Sequence, residues 1–405
     1  VILLLFLQYG PEFVKKIDGI FSFAIYDSSH AILYLYRDQF GIKPLFYTFV
    51  KEDNAIVFGS EVKALFEYGK IDAVVDRDGL NEVFGVGPAR QPGNAVFKGI
   101  KELKPGNYLT CSKYGVISKE YWRLESRYHE DSYERTIEKT KYLLEDAVVR
   151  QMVSDDEVPI CTFLSGGIDS SLVSSICAAK LKEEGKRLST YSFDFTGNEK
   201  YFKANSFQPS QDAPYAKKMV DYLGTEHKIL NCDYEIQANL LYESIDSHDL
   251  PCMADIDSSL IFFCREVSKK HKVVLTGECA DEIFGGYPWF HREKFLKCNT
   301  FPWTPDLSPR KQLMKPDVLE VLNMDEYVKK AYESAVKEVD ILPWENKIEA
   351  DRRRISYLNI RFFMQTLLNR MDRTSMHSGL EARVPFADKQ LVQYVFNIPW
   401  DMKAR

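Results

Sequence analysis

The sequence predicts a two-domain protein: a β-rich α+β part first, then an α/β part built on a doubly wound parallel sheet. Three observations support this. From about Tyr133 onward, helical apolar spacing alternates with short apolar runs, a pattern that suits parallel strands joined by crossover helices. Val158-Pro159-Ile160-Cys161-Thr162-Phe163 is one such run, of the kind buried on both faces of a sheet. Directly after it, Leu164-Ser165-Gly166-Gly167-Ile168-Asp169-Ser170-Ser171 leads into the small and apolar residues Leu172 to Lys180, so the stretch reads as a strand-to-helix turn. With 405 residues, 45% of them apolar, the chain is long enough for two cores.

In chain order, Val1-Ile2-Leu3-Leu4-Leu5-Phe6-Leu7 is apolar, too short to cross a bilayer, and not preceded by a basic segment. It reads as a helix cut through its middle. The other end, Pro399 to Arg405, stops without a closing element, and the expectation is a fragment truncated at both ends. Gly10-Pro11 begins a second helix through Phe13, Val14 and Ile17, which Gly19 ends. Strands follow at Ile20 to Tyr26 and Ala31 to Tyr36, with Asp27-Ser28-Ser29-His30 as the hairpin turn. More strand ends at Ile56-Val57-Phe58, and Ser60 is a candidate cap for a helix through Phe66. Lys98 to Leu109 reads as a turn and a returning strand. The first domain is expected over residues 1–124, a polar linker over 125–132, and the second domain over 133–405, opening with a helix whose apolar positions are Ile137, Leu143, Leu144, Ala147 and Val148. No internal repeat or low-complexity tract interrupts it.

The turn at Leu164 to Ser171 has a chemical use. Adjacent glycines let the backbone approach a ligand, and the first N–H groups of the following helix point outward without intrahelical partners. With the helix dipole added, the turn is an anion cradle. Ser165, Ser170 and Ser171 add hydroxyls. Asp169, a carboxylate beside a phosphate site, makes sense where Mg²⁺ lies between carboxylate and phosphate oxygens. The plain alternative is a capped helix after a glycine turn. The string contains no Gly-Lys-Ser/Thr and is no Gly-x-Gly-x-x-Gly; it resembles the PP-loop of the ATP-pyrophosphatase families, which cut ATP between the α and β phosphates.

Two further stretches carry chemistry. Val273-Val274-Leu275-Thr276-Gly277 is an apolar strand ending in a glycine, and the carboxylates Glu278, Asp281 and Glu282 follow where a helix should start. Acids in a first helical turn complement its dipole, yet at the carboxyl end of a sheet strand they also suit a metal and phosphate site. Arg370 to Asp388 holds Arg370, Arg373 and Arg383, fit either for binding carboxylate or phosphate, or for pairing with Asp372, Glu381 or Asp388. Asp255 to Leu260 reads as a capped helix start, the alternative being small polar groups placed near the site. His227 and His377 have no visible acid or metal partner and are read as structural.

Composition excludes other classes. The net charge is −6 with no basic block, so nucleic acid is not expected as a partner. The eight cysteines show no Cys-x-x-Cys spacing, which argues against a zinc ribbon or a redox pair. Several sit in apolar stretches, as small core residues do in a reducing cytoplasm, and no membrane association is expected.

Taken together, Arg37 to Leu45, Phe58-Gly59-Ser60-Glu61-Val62-Lys63-Ala64-Leu65, the PP-loop, Gly277 to Tyr287 and Gly379 to Phe386 make nearly the whole chain similar to the glutamine-dependent asparagine synthetases. The resemblance implies an amidoligase of amino-acid biosynthesis. It implies a partial Ntn-type glutaminase domain releasing ammonia, and a synthetase domain in which ATP and aspartate form β-aspartyl-AMP, from which ammonia displaces AMP. Carried over by position, Leu164, Ser165, Gly166, Gly167, Asp169, Ser170, Ser171, Phe195, Thr276 and Gly277 would bind ATP. Asp169, Asp281 and Glu282 would lie at Mg²⁺, with Glu278 and Asp281 catalytic. ATP and Mg²⁺ are the implied cofactors, aspartate and glutamine or ammonia the implied partners, and a homodimer the implied assembly. The family's glutaminase nucleophile is an N-terminal Cys, whereas residue 1 is Val and the first cysteine is Cys111; as given, the chain is not expected to hydrolyse glutamine. The family's Lys-x-x-Leu-Arg pattern is likewise not matched by Lys403. A related PP-loop enzyme that makes a β-lactam or cyclises a peptide, and a nucleotide-binding remnant without catalysis, are the alternative readings.

Overall fold

Asp27 closes the first hairpin, its Oδ1 accepting from the amides of Ser29 and His30 at 3.0 and 3.3 Å. This turn joins β1 (Ser22–Asp27) to β2 (Ile32–Arg37) in a computed structural model that describes residues 1–155, 157–204 and 210–404, the side chains of Ala254 and Asp255 apart. The chain forms two compact units. One comprises Val1–His129, Glu282–Asn369 and Phe396–Arg405; the other comprises Glu130–Asp281 and Arg370–Val395.

In the first unit, β3 (Phe46–Val50), β4 (Ala55–Gly59), β5 (Lys101–Glu102), β6 (Asn107–Ser112) and β7 (Gly115–Glu120) complete two antiparallel sheets. Their orders are β1-β2-β6-β7 and β4-β3-β5. An aromatic cluster of Phe13, Tyr34, Tyr36, Tyr108 and Tyr121 packs on the first sheet, with Tyr36 and Tyr108 stacked at 5.4 Å. Arg37 is 2% exposed. Its guanidinium donates to the carbonyls of Gly41, Lys43 and Leu103 and pairs with Glu102 at 2.9 Å, so the Arg37 to Leu45 run is held together from inside. Gly41 is needed there: with φ +64°, its Cβ would also fall 2.7 Å from the guanidinium carbon. A second cluster joins Val86 and Ala89 to Phe301, Met324, Val328 and Phe362 from later helical segments.

The helix expected from Gly10 is present as the 3₁₀ helix Gly10–Lys16. Two local expectations need correction. Ser60 does not cap the next helix, which spans Val62–Phe66 and follows Glu61 without a side-chain cap. Ile137 is 53% exposed, although Leu143, Leu144, Ala147 and Val148 of the same helix, Tyr133–Gln151, are buried; Ile137 falls off the stripe that the other four define.

The second unit is built on β8 (Cys161–Phe163), β9 (Ser189–Phe195), β10 (Glu226–Cys232), β11 (Val273–Leu275) and β12 (Glu381–Arg383). All pair in parallel, in the order β10-β9-β8-β11-β12. Counted within the unit this is 3-2-1-4-5, so the winding direction reverses between β8 and β11. The core is dense with aromatics and small thiols: Phe193 stacks on Phe263 at 4.1 Å beside buried Cys161, Cys264, Val267 and Val274. None of the eight cysteines forms a disulfide. His227 bridges Thr190 Oγ1 and Ser192 Oγ at 2.9 and 3.0 Å; His377 does have an acid partner, Glu243, at 2.7 Å. Among the described residues no helix is long and apolar enough to cross a membrane.

Candidate active site

The turn after β8 keeps the sheet register one residue further, the Leu164 amide donating to the Tyr191 carbonyl at 2.8 Å. Leu164 is fully buried. The chain then swings outward at Gly166, where φ is +88° and a Cβ would come within 2.3 Å of the Ala216 amide nitrogen. Both the dihedral and the close backbone admit only glycine. Gly167 precedes the helix Ile168–Glu183 in extended conformation, without a side-chain cap. The leading N–H groups of that helix are thus left facing outward.

Serine hydroxyls fix the shape of this turn. Ser165 Oγ and Ser170 Oγ lie 2.9 Å apart; Ser165 Oγ accepts from the Gly167 amide at 3.3 Å, and Ser170 Oγ accepts from the Ser165 amide at 3.2 Å. Ser171 Oγ is buried and lacks a hydrogen-bond partner among the described residues. A cradle with an unused hydroxyl and outward amides suits phosphate oxygens.

The loop after β11 meets this turn across the reversal in strand order. Thr276 continues the pairing, its amide donating to the Arg383 carbonyl at 3.0 Å. A Cβ on Gly277 would stand 2.8 Å from the Ser170 amide nitrogen and 3.1 Å from Asp169 Cβ. The two loops therefore touch backbone to backbone, a contact that only the missing side chain of Gly277 permits. Cys279 then takes φ +77°, left-handed for a residue with a side chain, before the helix Ala280–Phe284.

This geometry gathers carboxylates. Burial, and secondly the charge of Asp281, pushes the Asp169 carboxyl up to about 6. Burial, and secondly Glu278, raises Asp281. Glu278 is in turn paired with Arg370, Oε1 to Nη2 at 2.8 Å, both side chains mostly buried. Acids raised by burial and mutual repulsion are a donor set short of positive charge, and a hard divalent cation fits it.

The expected residues fall into three groups. Ser165, Gly166, Gly167, Asp169, Ser170, Ser171, Thr276, Gly277, Glu278 and Asp281 lie on the two loops or the first turns of the helices that leave them. Phe195 ends β9, next to β8, and is 43% exposed at the same carboxyl edge of the sheet. Glu282 falls in the first unit, where its Oε1 accepts from the Tyr287 hydroxyl at 2.5 Å and it is 1% exposed.

The partnership of Arg370 with Glu278 is what sequence reasoning missed. Arg370 stood out only as one arginine among three. Arg373 instead pairs with Asp249 at 2.6 Å, and Arg383 with Glu381 at 3.3 Å, both as structural partners. Asp257, read as part of a capped helix start, accepts from the Met253 amide at 3.0 Å from inside the helix Ala254–Ser268, while the side chain of Asp255 lies outside the described residues.

Comparison with known proteins adds three relationships. The family described as asparagine synthase matches residues 139–405, and the glutamine amidotransferase domain matches residues 1–122. All of the chain is 46% identical to asparagine synthetase (glutamine-hydrolyzing) 3 of Bacillus subtilis strain 168, covering 65% of that protein. It is 27% identical to asparagine synthetase (glutamine-hydrolyzing) 1 of the same organism and 26% identical to amidase chyE of Penicillium rubens, each match covering the whole chain and 66% and 67% of the relative. The chain spans about two thirds of the length of these curated relatives.

Proposed function

The chain belongs to the asparagine synthase family, and from that premise we propose that it activates the side-chain carboxylate of aspartate with ATP and converts the resulting β-aspartyl-AMP to asparagine. Ammonia is the nucleophile; in the glutamine-hydrolyzing synthetases that this chain resembles it comes from glutamine, a step for which this chain, with Val at residue 1, is not expected to carry the nucleophile. The first unit's two antiparallel sheets are read as a partial Ntn-type glutaminase domain over residues 1–124 and the parallel sheet as a doubly wound PP-loop domain over residues 133–405, with 125–132 as linker. A homodimer and a reducing, cytoplasmic setting complete the proposal; eight cysteines outside any disulfide support the latter.

The observation that carries this reading is the meeting of the β8 and β11 loops at the reversal in strand order, with Gly277 against Asp169. Open α/β sheets bind ligands at that place. In this reading the outward amides of residues 165–169 and the hydroxyls of Ser165, Ser170 and Ser171 bind the β and γ phosphates. Leu164, Phe195, Thr276 and Gly277 line the nucleotide. Asp169 and Asp281 would hold Mg²⁺, which would draw charge from the phosphate oxygens and make the α-phosphorus easier to attack. Glu282 is assigned to the neighbourhood of the cation only through the backbone it shares with Asp281.

Little covalent chemistry is then asked of the protein. The aspartate carboxylate oxygen attacks the α-phosphorus and pyrophosphate departs; ammonia attacks the acyl carbon and AMP departs, losing a proton from nitrogen on the way. Glu278, held by Arg370, is assigned to assist the adenylation or to take that proton. Positioning and charge supply the rest.

The test is product analysis with Mg-ATP, aspartate and ammonium, resolving AMP from ADP. Aspartate-dependent AMP with one asparagine per AMP is expected. Formation of ADP, or turnover indifferent to aspartate, would overturn the reading.

A further inference from the structure

The turn between the helices Leu241–His248 and Ala254–Ser268 gathers three chemically different side chains. His248, Cys252 and Asp257 each offer one ligand atom, and these atoms all lie within 4.8 Å of one another. The backbone builds this approach. Asp249 takes φ 61° and ends the first helix, and Pro251 bars its continuation, so that the chain doubles back and Asp257 returns to His248.

Two of the three are already oriented as ligands. His248 Nδ1 stands 2.8 Å from the Ser244 carbonyl oxygen, which can only accept. Nδ1 therefore carries the proton in the neutral ring, and Nε2 presents its lone pair. A backbone carbonyl that fixes the tautomer in this way is the usual support of a metal-binding imidazole. Asp257 Oδ2 accepts from the Met253 amide at 3.0 Å, which turns Oδ1 to the other side. His248 and Asp257 are buried, whereas Cys252 is the exposed one of the eight cysteines.

We propose that His248, Cys252 and Asp257 form a binding site for a borderline-soft divalent cation of the Zn²⁺ class. An imidazole, a thiolate and a carboxylate suit such an ion and not Mg²⁺, which prefers oxygen alone. Tetrahedral ligand atoms around zinc lie roughly 3.5 Å apart, so the three atoms close by about an ångström on binding. Three protein ligands leave one position for water on the exposed side, where Cys252 lies. On binding, the Cys252 S–H proton passes to solvent and the sulfur electron pair becomes the metal bond, so affinity rises with pH. This site needs none of the residues assigned to ATP.

The experiment is titration of the protein with Co²⁺ in the presence of excess Mg²⁺, followed by displacement with Zn²⁺. One equivalent of Co²⁺ showing thiolate-to-cobalt absorption, bleached by Zn²⁺, is expected. Cys252→Ser should abolish that absorption and weaken binding at least about tenfold. His248→Gln should also weaken it, and Asp169→Asn should leave it intact. Because Cys252 is exposed, its substitution spares the core, and an unchanged thermal melt verifies this. Absence of a stoichiometric absorption, or its survival in Cys252→Ser, overturns the proposal.

Discussion

Gly277 and Asp169 follow different strands of the sheet, yet a methyl group on Gly277 would lie 3.1 Å from the Cβ of Asp169. The carboxylate expected at the cation is thus placed by a residue that has no side chain. Gly277→Ala should push the two loops apart at a cost of about 1–3 kcal/mol. Mg-ATP affinity should fall roughly 5- to 100-fold, by the same energy, with a smaller change in melting temperature. Calorimetric titration decides; unchanged affinity would mean that the loops do not act together.

Asp169→Ala should weaken Mg-ATP binding by roughly 10- to 100-fold, the scale of one charged interaction, and leave the melting transition cooperative. The loss should shrink when ATP is offered with EDTA. Equal losses with and without Mg²⁺ would remove Asp169 from the metal site.

Arg370→Ala frees Glu278 from its partner at 2.8 Å. Its negative charge then bears on Asp281 without compensation. Asparagine formation should drop by roughly 10- to 100-fold, mostly in kcat, since about 1.5–3 kcal/mol attaches to such a pair. Arg370→Lys should recover part of the rate, and an unaffected alanine variant would make the pair merely structural.

In the first unit, Arg37→Ala leaves Glu102 buried without its cation and the carbonyls of Gly41, Lys43 and Leu103 without a donor. A loss of about 3–5 kcal/mol in unfolding free energy is expected. Urea titration measures it, and a loss below about 1 kcal/mol would refute the central place given to this side chain.

His227 is held below its ordinary value of 6.5 by burial. The native state thus favours the neutral ring more than the unfolded chain does. That stability is complete above pH 6.5 and is lost as pH falls through the lowered native value. The pH dependence of melting below 6.5 should flatten in His227→Gln. An NMR titration midpoint of the ring above 6.5 would reverse the sign.

How much of this was legible in the sequence follows from the range of each interaction. The turn at Leu164 to Ser171 was readable because its strand, glycines and helix are contiguous, so local propensity alone specifies its shape. The hairpin at Asp27 was readable for the same reason. Ser60 misled because a capping residue is defined by a hydrogen bond, and the helix starts two residues later. Ile137 misled because a single apolar residue at helical spacing does not say how wide the buried stripe is. The pairings of Arg370 with Glu278 and of His377 with Glu243 join segments distant in the chain. No periodicity encodes them. The trio of His248, Cys252 and Asp257 escaped a search for Cys-x-x-Cys because its spacing is irregular and its ligands are mixed.

The position of β8 also governs when the site can exist. Its neighbour β11 begins about 110 residues later in the chain, and β12 later still. At about 5–20 residues per second on the ribosome, β8 emerges roughly 5 to 20 s before β11. Throughout that interval one edge of an apolar strand stands open, and the turn at Leu164 to Ser171 lacks the loop that props Asp169. The nascent chain is therefore most exposed to mispairing between the synthesis of Phe163 and that of Leu275. Slowing of translation there, or a chaperone that covers sheet edges, would act on this protein more than on one whose central strand finds both neighbours early.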